Sequence, residues 1–182
     1  VLGLYYRDTA IDFWKSKVKS WAGSCFGFST SSLLAFKDVN SFITAYPEMP
    51  PFNNLYQFPN TLTGVQGDSI RAIINSLQIH QIGKQHRTYL NTILSDTPIQ
   101  TLNKIKNVLL KDNTDGGLLR IRNQSGKGAH VIVVYNLIKS TLFPNSYELS
   151  VYDNSYPANL SAQITIDTVT NSWNAPLWGW GG

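Results

Sequence analysis

The side chains of this chain that could do covalent chemistry are a single cysteine, three histidines and a neighbouring acid and amide. Cys25 lies in Gly23-Ser24-Cys25-Phe26-Gly27-Phe28-Ser29, at the expected start of a helix. A free thiol titrates near ~8.5 and is mostly protonated at neutral pH, so a nucleophilic cysteine needs help. The first N–H groups of a helix lack backbone acceptors and carry positive partial charge, which favours a thiolate. A neighbouring imidazole that takes the proton favours it further. In that setting the Cys25 N–H is a natural oxyanion donor. Gly23 and Gly27 would let a substrate backbone come close. The competing role of a lone cysteine is that of a small buried hydrophobe.

Among the histidines, His80 and His86 fall in a helical stretch rich in Gln, Lys and Arg and read as surface or capping residues. His130 differs. It follows Gly126-Lys127-Gly128-Ala129 and opens the apolar run Val131-Ile132-Val133-Val134, so it sits at the mouth of a strand beside a glycine loop, which suits a general base. A base must be held in one orientation by a carboxylate or amide on its other nitrogen. The run Tyr147 to Tyr152 ends in two candidates, Asp153 and Asn154. If it forms a hairpin with the His130 strand, its far end returns beside the ring. Adjacent residues in extended chain face opposite ways, so one of the two is expected to reach it. Cys, then His, then Asp or Asn is an order that fits a thiolate nucleophile.

These residues need elements to hold them. Ile11 to Val18 has the pattern of a short amphipathic helix. Ser24 is the expected N-cap of a helix through Leu33, Leu34 and Phe36. Residues 46–67, rich in Pro, Asn and Gly, read as a long ordered loop. Its Tyr46, Met49, Phe52, Tyr56 and Phe58 are candidates to line an apolar subsite. Asp68 is the expected cap of a helix carrying Ile70, Ile73, Ile74 and Leu77 at helical spacing. Ser95 or Asp96, with Pro98 in the first turn, is expected to start another that ends at Gly116-Gly117. Strands are expected over Leu118–Arg122, Ala129–Ile138, Tyr147–Tyr152 and Gln163–Val169, with Phe143-Pro144-Asn145 as a turn. Helices first and strands with short turns second predict an α+β protein with an antiparallel sheet. The helical part would cover about residues 1–115 and the β part about 116–182, in one domain of 182 residues or two small lobes sharing a cleft.

A chain of this size can bury about 70% of its unfolded surface and needs neither metal nor disulfide to fold. One cysteine makes no internal disulfide. The net charge of +4 is modest and its lysines and arginines are scattered, densest at Lys15, Lys17 and Lys19, which speaks against a nucleic-acid partner. No apolar run approaches the ~18 residues of a membrane span. No residues show metal-ligand spacing, so no metal or other cofactor is expected. The chain begins at Val1 rather than Met. The expectation is a trimmed or excised form, one domain of a larger protein that is secreted or at the cell surface. Asn123-Gln124-Ser125 and Asn159-Leu160-Ser161 are formal glycosylation triplets of a kind common by chance.

The islands around Cys25, His130 and Asp153 together resemble the papain-like cysteine peptidases. The family's nucleophile segment has Gly two before the Cys, an aromatic directly after it and a small residue four after it; here these are Gly23, Phe26 and Ser29. Its histidine segment, a small residue, then His, then an aliphatic strand, is similar to Ala129-His130-Val131-Ile132-Val133-Val134. The segment Val151-Tyr152-Asp153-Asn154-Ser155-Tyr156-Pro157 is similar to bacterial members, relatives of bacteriocin-leader-processing peptidases, in which an Asp before Pro or Asn orients the His.

The resemblance implies a papain-like α+β fold, with Cys25 on a central helix packed against a C-terminal antiparallel sheet. It implies Cys25 as nucleophile, His130 as base, Asp153 as the orienting group with Asn154 as second choice, and Gly23, Gly27 and Ala129 beside the substrate. Papain relatives carry a second oxyanion donor, a Gln, six residues before the Cys. That position is Lys19 here, and Lys19, Ser20, Ser24 and Gln66 are the alternatives. Asn171-Ser172-Trp173, followed by Trp178-Gly179, looks like the family's Asn-Ser-Trp segment but lies beyond an extra strand, so Asn171 ranks third. Trp173, Trp178 and Trp180 are expected to pack. The expected function is thiol-dependent hydrolysis of a peptide, isopeptide or related amide bond in a peptide or protein substrate. Two other functions fit the same residues: acyl transfer to an amine through the same thioester, and a binding or adhesion module that keeps the fold with an inactive site.

Overall fold

The computed structural model of the chain describes residues 23–45, 65–111, 116–126 and 128–182, with the backbone alone for 65–70 and 111. The helix proposed over Ile11 to Val18, Lys19 and Ser20, and the aromatics at 46–58 lie outside the described residues. The described chain is α+β. Five helices come first: α1 (Cys25–Lys37), α2 (Val39–Ala45), α3 (Val65–His80), α4 (Lys84–Ile93) and α5 (Pro98–Lys111). Six strands follow: β1 (Gly117–Arg122), β2 (Ala129–Lys139), β3 (Ser146–Tyr152), β4 (Gln163–Asp167), β5 (Ser172–Ala175) and β6 (Trp180–Gly181), with a 3-10 turn at Pro176–Trp178 before the last. They form one sheet in the order β1-β2-β3-β4-β5-β6, each strand antiparallel to the next.

Alternation along β2 explains its continuous apolar run. Ile132 and Val134 join Leu102 of α5 and Leu149, Val151 and Ile164 of the neighbouring strands in the main core. Val131 and Val133, buried as well, point the other way. On that second side α1 packs against β2, with Leu33 close to Val133. A strand covered on both faces reads as unbroken hydrophobic sequence. A smaller core joins α1, α2 and α3 through Ala35, Phe42, Ile73, Ile74 and Leu77.

Two helix starts differ from expectation. Helix α3 begins at Val65, ahead of Asp68. Helix α5 is capped by Thr97 rather than Ser95 or Asp96. The Thr97 N–H donates to Gln100 Oε1 at 2.8 Å and the Gln100 N–H to Thr97 Oγ1 at 3.3 Å, a reciprocal capping box with Pro98 at the first helical position. Strands β5 and β6 escape a reading by apolar alternation because they are short and built from Trp, Asn, Ala and Gly.

The hairpin of β2 and β3 sets the geometry of the candidate site. Val133 pairs with Tyr152 and Val134 with Val151, whereas Asn136 pairs with Ser150, so β2 holds one extra residue, Tyr135, as a bulge. Asp153 and Asn154 leave the end of β3 toward the His130 end of β2.

Candidate active site

Cys25 is the first residue of α1, with Ser24 at the N-cap position. The Ser24 side chain makes no capping hydrogen bond, so it leaves the helix N-terminus open. Part of that terminus is instead held by Gln78 of α3. Its Oε1 accepts from the Gly27 N–H at 2.7 Å, and its Nε2 donates to the Gly23 carbonyl at 3.1 Å. Gln78 thus ties the backbone on both sides of Cys25.

Gly23 is exposed, with nothing within 4 Å of where a Cβ would stand. Gly27 is different from expectation: it is buried, and a Cβ there would overlap the Ile74 carbonyl oxygen. Its lack of a side chain lets α3 cross α1 closely and does not serve a substrate. Ala129 is exposed beside His130, at the first position of β2.

His130 Nε2 lies 2.7 Å from Asp153 Oδ1. The Cys25 thiol is the ring's other partner, each favouring the charged form of the other. Asp153 is 1% exposed. Its carboxylate accepts two further bonds, from the Ser155 N–H to Oδ1 at 2.8 Å and from Trp178 Nε1–H to Oδ2 at 3.0 Å. A buried carboxylate satisfied on both oxygens is a rigid anchor for an imidazole. The Trp178 ring also lies tilted against the His130 ring, centroids 6.1 Å apart.

Asn154 does not reach the ring. Its Nδ2 donates to the Cys25 carbonyl at 3.2 Å, to Ser29 Oγ at 2.9 Å and to the Val131 carbonyl at 3.3 Å. Ser29 Oγ in turn donates to the Val131 carbonyl at 2.8 Å. Asn154 and Ser29 therefore fasten the first turn of α1 to β2 directly beneath the thiol. Asn171 lies elsewhere: it occupies the left-handed region at the β4–β5 turn, and its Oδ1 accepts from the Ile99 N–H in the first turn of α5 at 3.1 Å. Its similarity to the family's Asn-Ser-Trp segment reflects a helix cap. His80 is exposed at the end of α3, and His86 of α4 packs edge-on against Phe26, centroids 5.0 Å apart. Of the candidates for a second oxyanion donor, Lys19 and Ser20 lie outside the described residues, Gln66 is described by its backbone alone, and Ser24 is half-buried beside the thiol.

The charges follow from this geometry. Burial pushes the Cys25 thiol up, but hydrogen bonds from His130 and from the Val131 and Phe26 backbone outweigh it and hold the thiol below its ordinary value. Burial alone would lower His130, yet its bonds to Asp153 and Cys25 raise it to about 9. Burial also works to raise Asp153, and His130, the Ser155 N–H and Trp178 hold it below the usual carboxylate range. These directions all favour the charged forms, a thiolate, an imidazolium and a carboxylate, in a row. Among the described residues no group of three or more His, Cys, Asp or Glu could hold a metal ion, and no helix is long and apolar enough to cross a membrane. A crevice of about 230 Å³ between α4, α5 and the sheet, floored by Leu149, Ile164 and Trp173, contains none of the three.

Two contributors escape a reading of the sequence. Gln78 falls four residues after Ile74 on the apolar stripe of α3, and a polar residue on an apolar stripe is the signal that marks it. Trp178 reads as a packing residue, and its N–H is what engages Asp153. No protein-family model, curated protein or solved structure matches this chain.

Proposed function

We propose that this chain is a papain-like thiol peptidase acting through Cys25, His130 and Asp153. The observation that carries this reading is the His130 ring held at 2.7 Å by the buried, fully satisfied Asp153 carboxylate, with the Cys25 thiol as the ring's other charge partner. A thiol at a helix start beside an imidazole–carboxylate pair is the setting that activates cysteine, and perturbed groups gathered this way mark functional sites.

The Cys25 thiolate attacks the carbonyl carbon of the scissile amide. Negative charge moves to the carbonyl oxygen, which the Cys25 N–H meets at the open helix terminus. The C–N bond breaks as His130 gives its proton to the departing amine, leaving a thioester on Cys25. Water then enters, His130 takes its proton as the water oxygen bonds to the thioester carbon, the carbon–sulfur bond breaks to release the carboxylic acid product, and the thiolate–imidazolium pair returns. Asp153 stays ionised and holds the ring with one nitrogen toward sulfur. Helix α1 packed against a sheet that carries His130 agrees with the papain-like arrangement implied by the resemblance.

The test is the pH dependence of Cys25 alkylation by iodoacetamide in the wild type and in His130→Ala. A thiolate that reacts well below pH 7 in the wild type and is lost in the variant is the expected result. An ordinary titration near ~8.5 in both proteins overturns the reading and leaves a binding module.

A further inference from the structure

Beside the thiol lies a cleft that the bond-breaking steps do not use. It opens between Phe26 of α1, helix α4 and the β1–β2 strands, and encloses about 480 Å³. Its walls are largely apolar, with Phe26, Ile82, Leu118 and Val131 among them; Arg120 and Arg87 also line it, and among the described residues no carboxylate does.

Arg120 is the informative residue. It stands opposite Val131 in the β1–β2 register, and the Val131 backbone is hydrogen-bonded to the Cys25 thiol. Alternation puts Leu118 and Arg120 on the cleft side of β1 while Ile121 enters the main core. Partial burial and, next, the like charge of Arg122 act to lower the guanidinium, and the Cys25 side chain acts on it in the opposite sense. Its own charge, after burial, helps to hold His86 below its ordinary value, so that ring is neutral at pH 7. The cleft is thus an apolar slot lined by the chain neighbours of the nucleophile and base, Phe26 and Val131, with the Arg120 cation on the strand opposite Val131.

We propose that this cleft selects a substrate residue with a carboxylate side chain, glutamate or aspartate, next to the scissile bond, with Arg120 as its counter-ion. The inference rests on the peptidase reading. The hydrocarbon stem of such a side chain lies against Phe26 and Leu118, and its carboxylate meets the planar fork of the guanidinium, the geometry in which Arg pairs best. A lysine side chain entering the same slot meets like charge and no acceptor carboxylate, so the site discriminates by repulsion as well as attraction.

The experiment uses tripeptidyl chloromethyl ketones with Glu, Gln or Lys at either of the two residues next to the reactive group. The rate of Cys25 labelling is read by intact mass in the wild type, Arg120→Gln, Arg120→Glu and His130→Ala. Arg120 is exposed on its strand, so the substitutions leave the core untouched, which thermal melts check. The expected result is about 10-fold faster labelling with Glu than with Gln at one of the two positions. Arg120→Gln should erase that preference and Arg120→Glu should turn it toward Lys. Equal rates with Glu and Gln at both positions, or a Glu preference that survives Arg120→Glu, overturn the inference and leave the peptidase reading intact. Labelling of the wild type no faster than of His130→Ala with every probe overturns the peptidase reading, and the inference with it.

Discussion

Trp178 Nε1–H donates to Asp153 Oδ2 at 3.0 Å, on the carboxylate oxygen opposite the one that meets His130. The indole therefore satisfies the half of the carboxylate that the imidazole cannot. Trp178→Phe keeps most of the packing and removes the donor, leaving one oxygen of a buried carboxylate unsatisfied. The expected loss is about 1–3 kcal/mol, measured by urea unfolding at pH 7. Because the folded pKa of Asp153 is depressed, its contribution is present above its unfolded value near ~3.9 and is lost as pH falls through the folded value. The gap between wild type and variant should therefore narrow as the pH is lowered below ~4. A gap independent of pH would assign Trp178 to packing alone.

Asp153→Asn isolates the role of charge. The amide can still accept from the ring, but it no longer opposes the imidazolium. His130 should fall from about 9 toward its ordinary value, since burial works to lower it and the bond to Asp153 does most to raise it. In a pH–rate profile the alkaline limb, where the imidazolium loses its proton, should move down by about two units, and kcat/KM at pH 8 should drop roughly 10-fold. In the wild type the acid limb is expected to follow Cys25, below the ordinary thiol value, and the alkaline limb to fall near 9. The two limbs belong to the coupled pair rather than to either residue alone. An unchanged alkaline limb in Asp153→Asn would remove Asp153 from the row.

Part of this arrangement is legible in the sequence, and the hairpin shows why the rest is not. The apolar run Val131 to Val134 and the strand ending at Tyr152 announce two strands that bring Asp153 or Asn154 back to His130. Which of the two faces the ring depends on register, and a slip of one residue exchanges the faces. The bulge at Tyr135 introduces such a slip, and nothing in the local sequence announces it. Gly27 is misread for a related reason. A glycine beside a nucleophile and a glycine under a crossing helix look alike until the long-range contact with Ile74 is known. The Thr97–Gln100 box that caps α5 is local, but the partner of the neighbouring Ile99 N–H is Asn171, far along the chain, and that contact is hidden in the same way.

The two glycines make opposite predictions. Gly27→Ala gains up to about 1 kcal/mol of helix propensity but places a methyl group against the Ile74 carbonyl, which is backbone and cannot swing aside. Overpacking of this kind costs about 1–3 kcal/mol, so the net effect should be destabilising. Gly23→Ala meets nothing within 4 Å and should leave stability within about 0.5 kcal/mol of the wild type. Chemical denaturation of both variants checks the contrast. A stable Gly27→Ala would mean that α1 and α3 do not cross as closely as described.

Asn154 offers the sharpest separation between holding the fold and holding the nucleophile. Its amide donates toward three oxygens: the Cys25 carbonyl on α1, the Val131 carbonyl on β2 and the Ser29 hydroxyl between them. Asn154→Asp has almost the same shape but presents an acceptor where three acceptors converge. The carboxylate must either take up a proton or turn away, and both release the first turn of α1 from β2. The thiol loses its fixed distance to the ring, because the Val131 and Phe26 backbone groups that hold it lie in those same two segments. Expected are a loss of about 3 kcal/mol or more at pH 7 and a Cys25 alkylation profile moved up toward ~8.5. The stability should recover in part at low pH, where protonation of the new carboxyl restores one donor. Asn154→Ala removes the bonds without adding charge and should cost less stability, with no such acid recovery. Equal stability of the Asp and Ala variants at every pH would show that the amide does not bridge helix and strand, and the seat of the nucleophile would then rest on Gln78 and Ser29 alone.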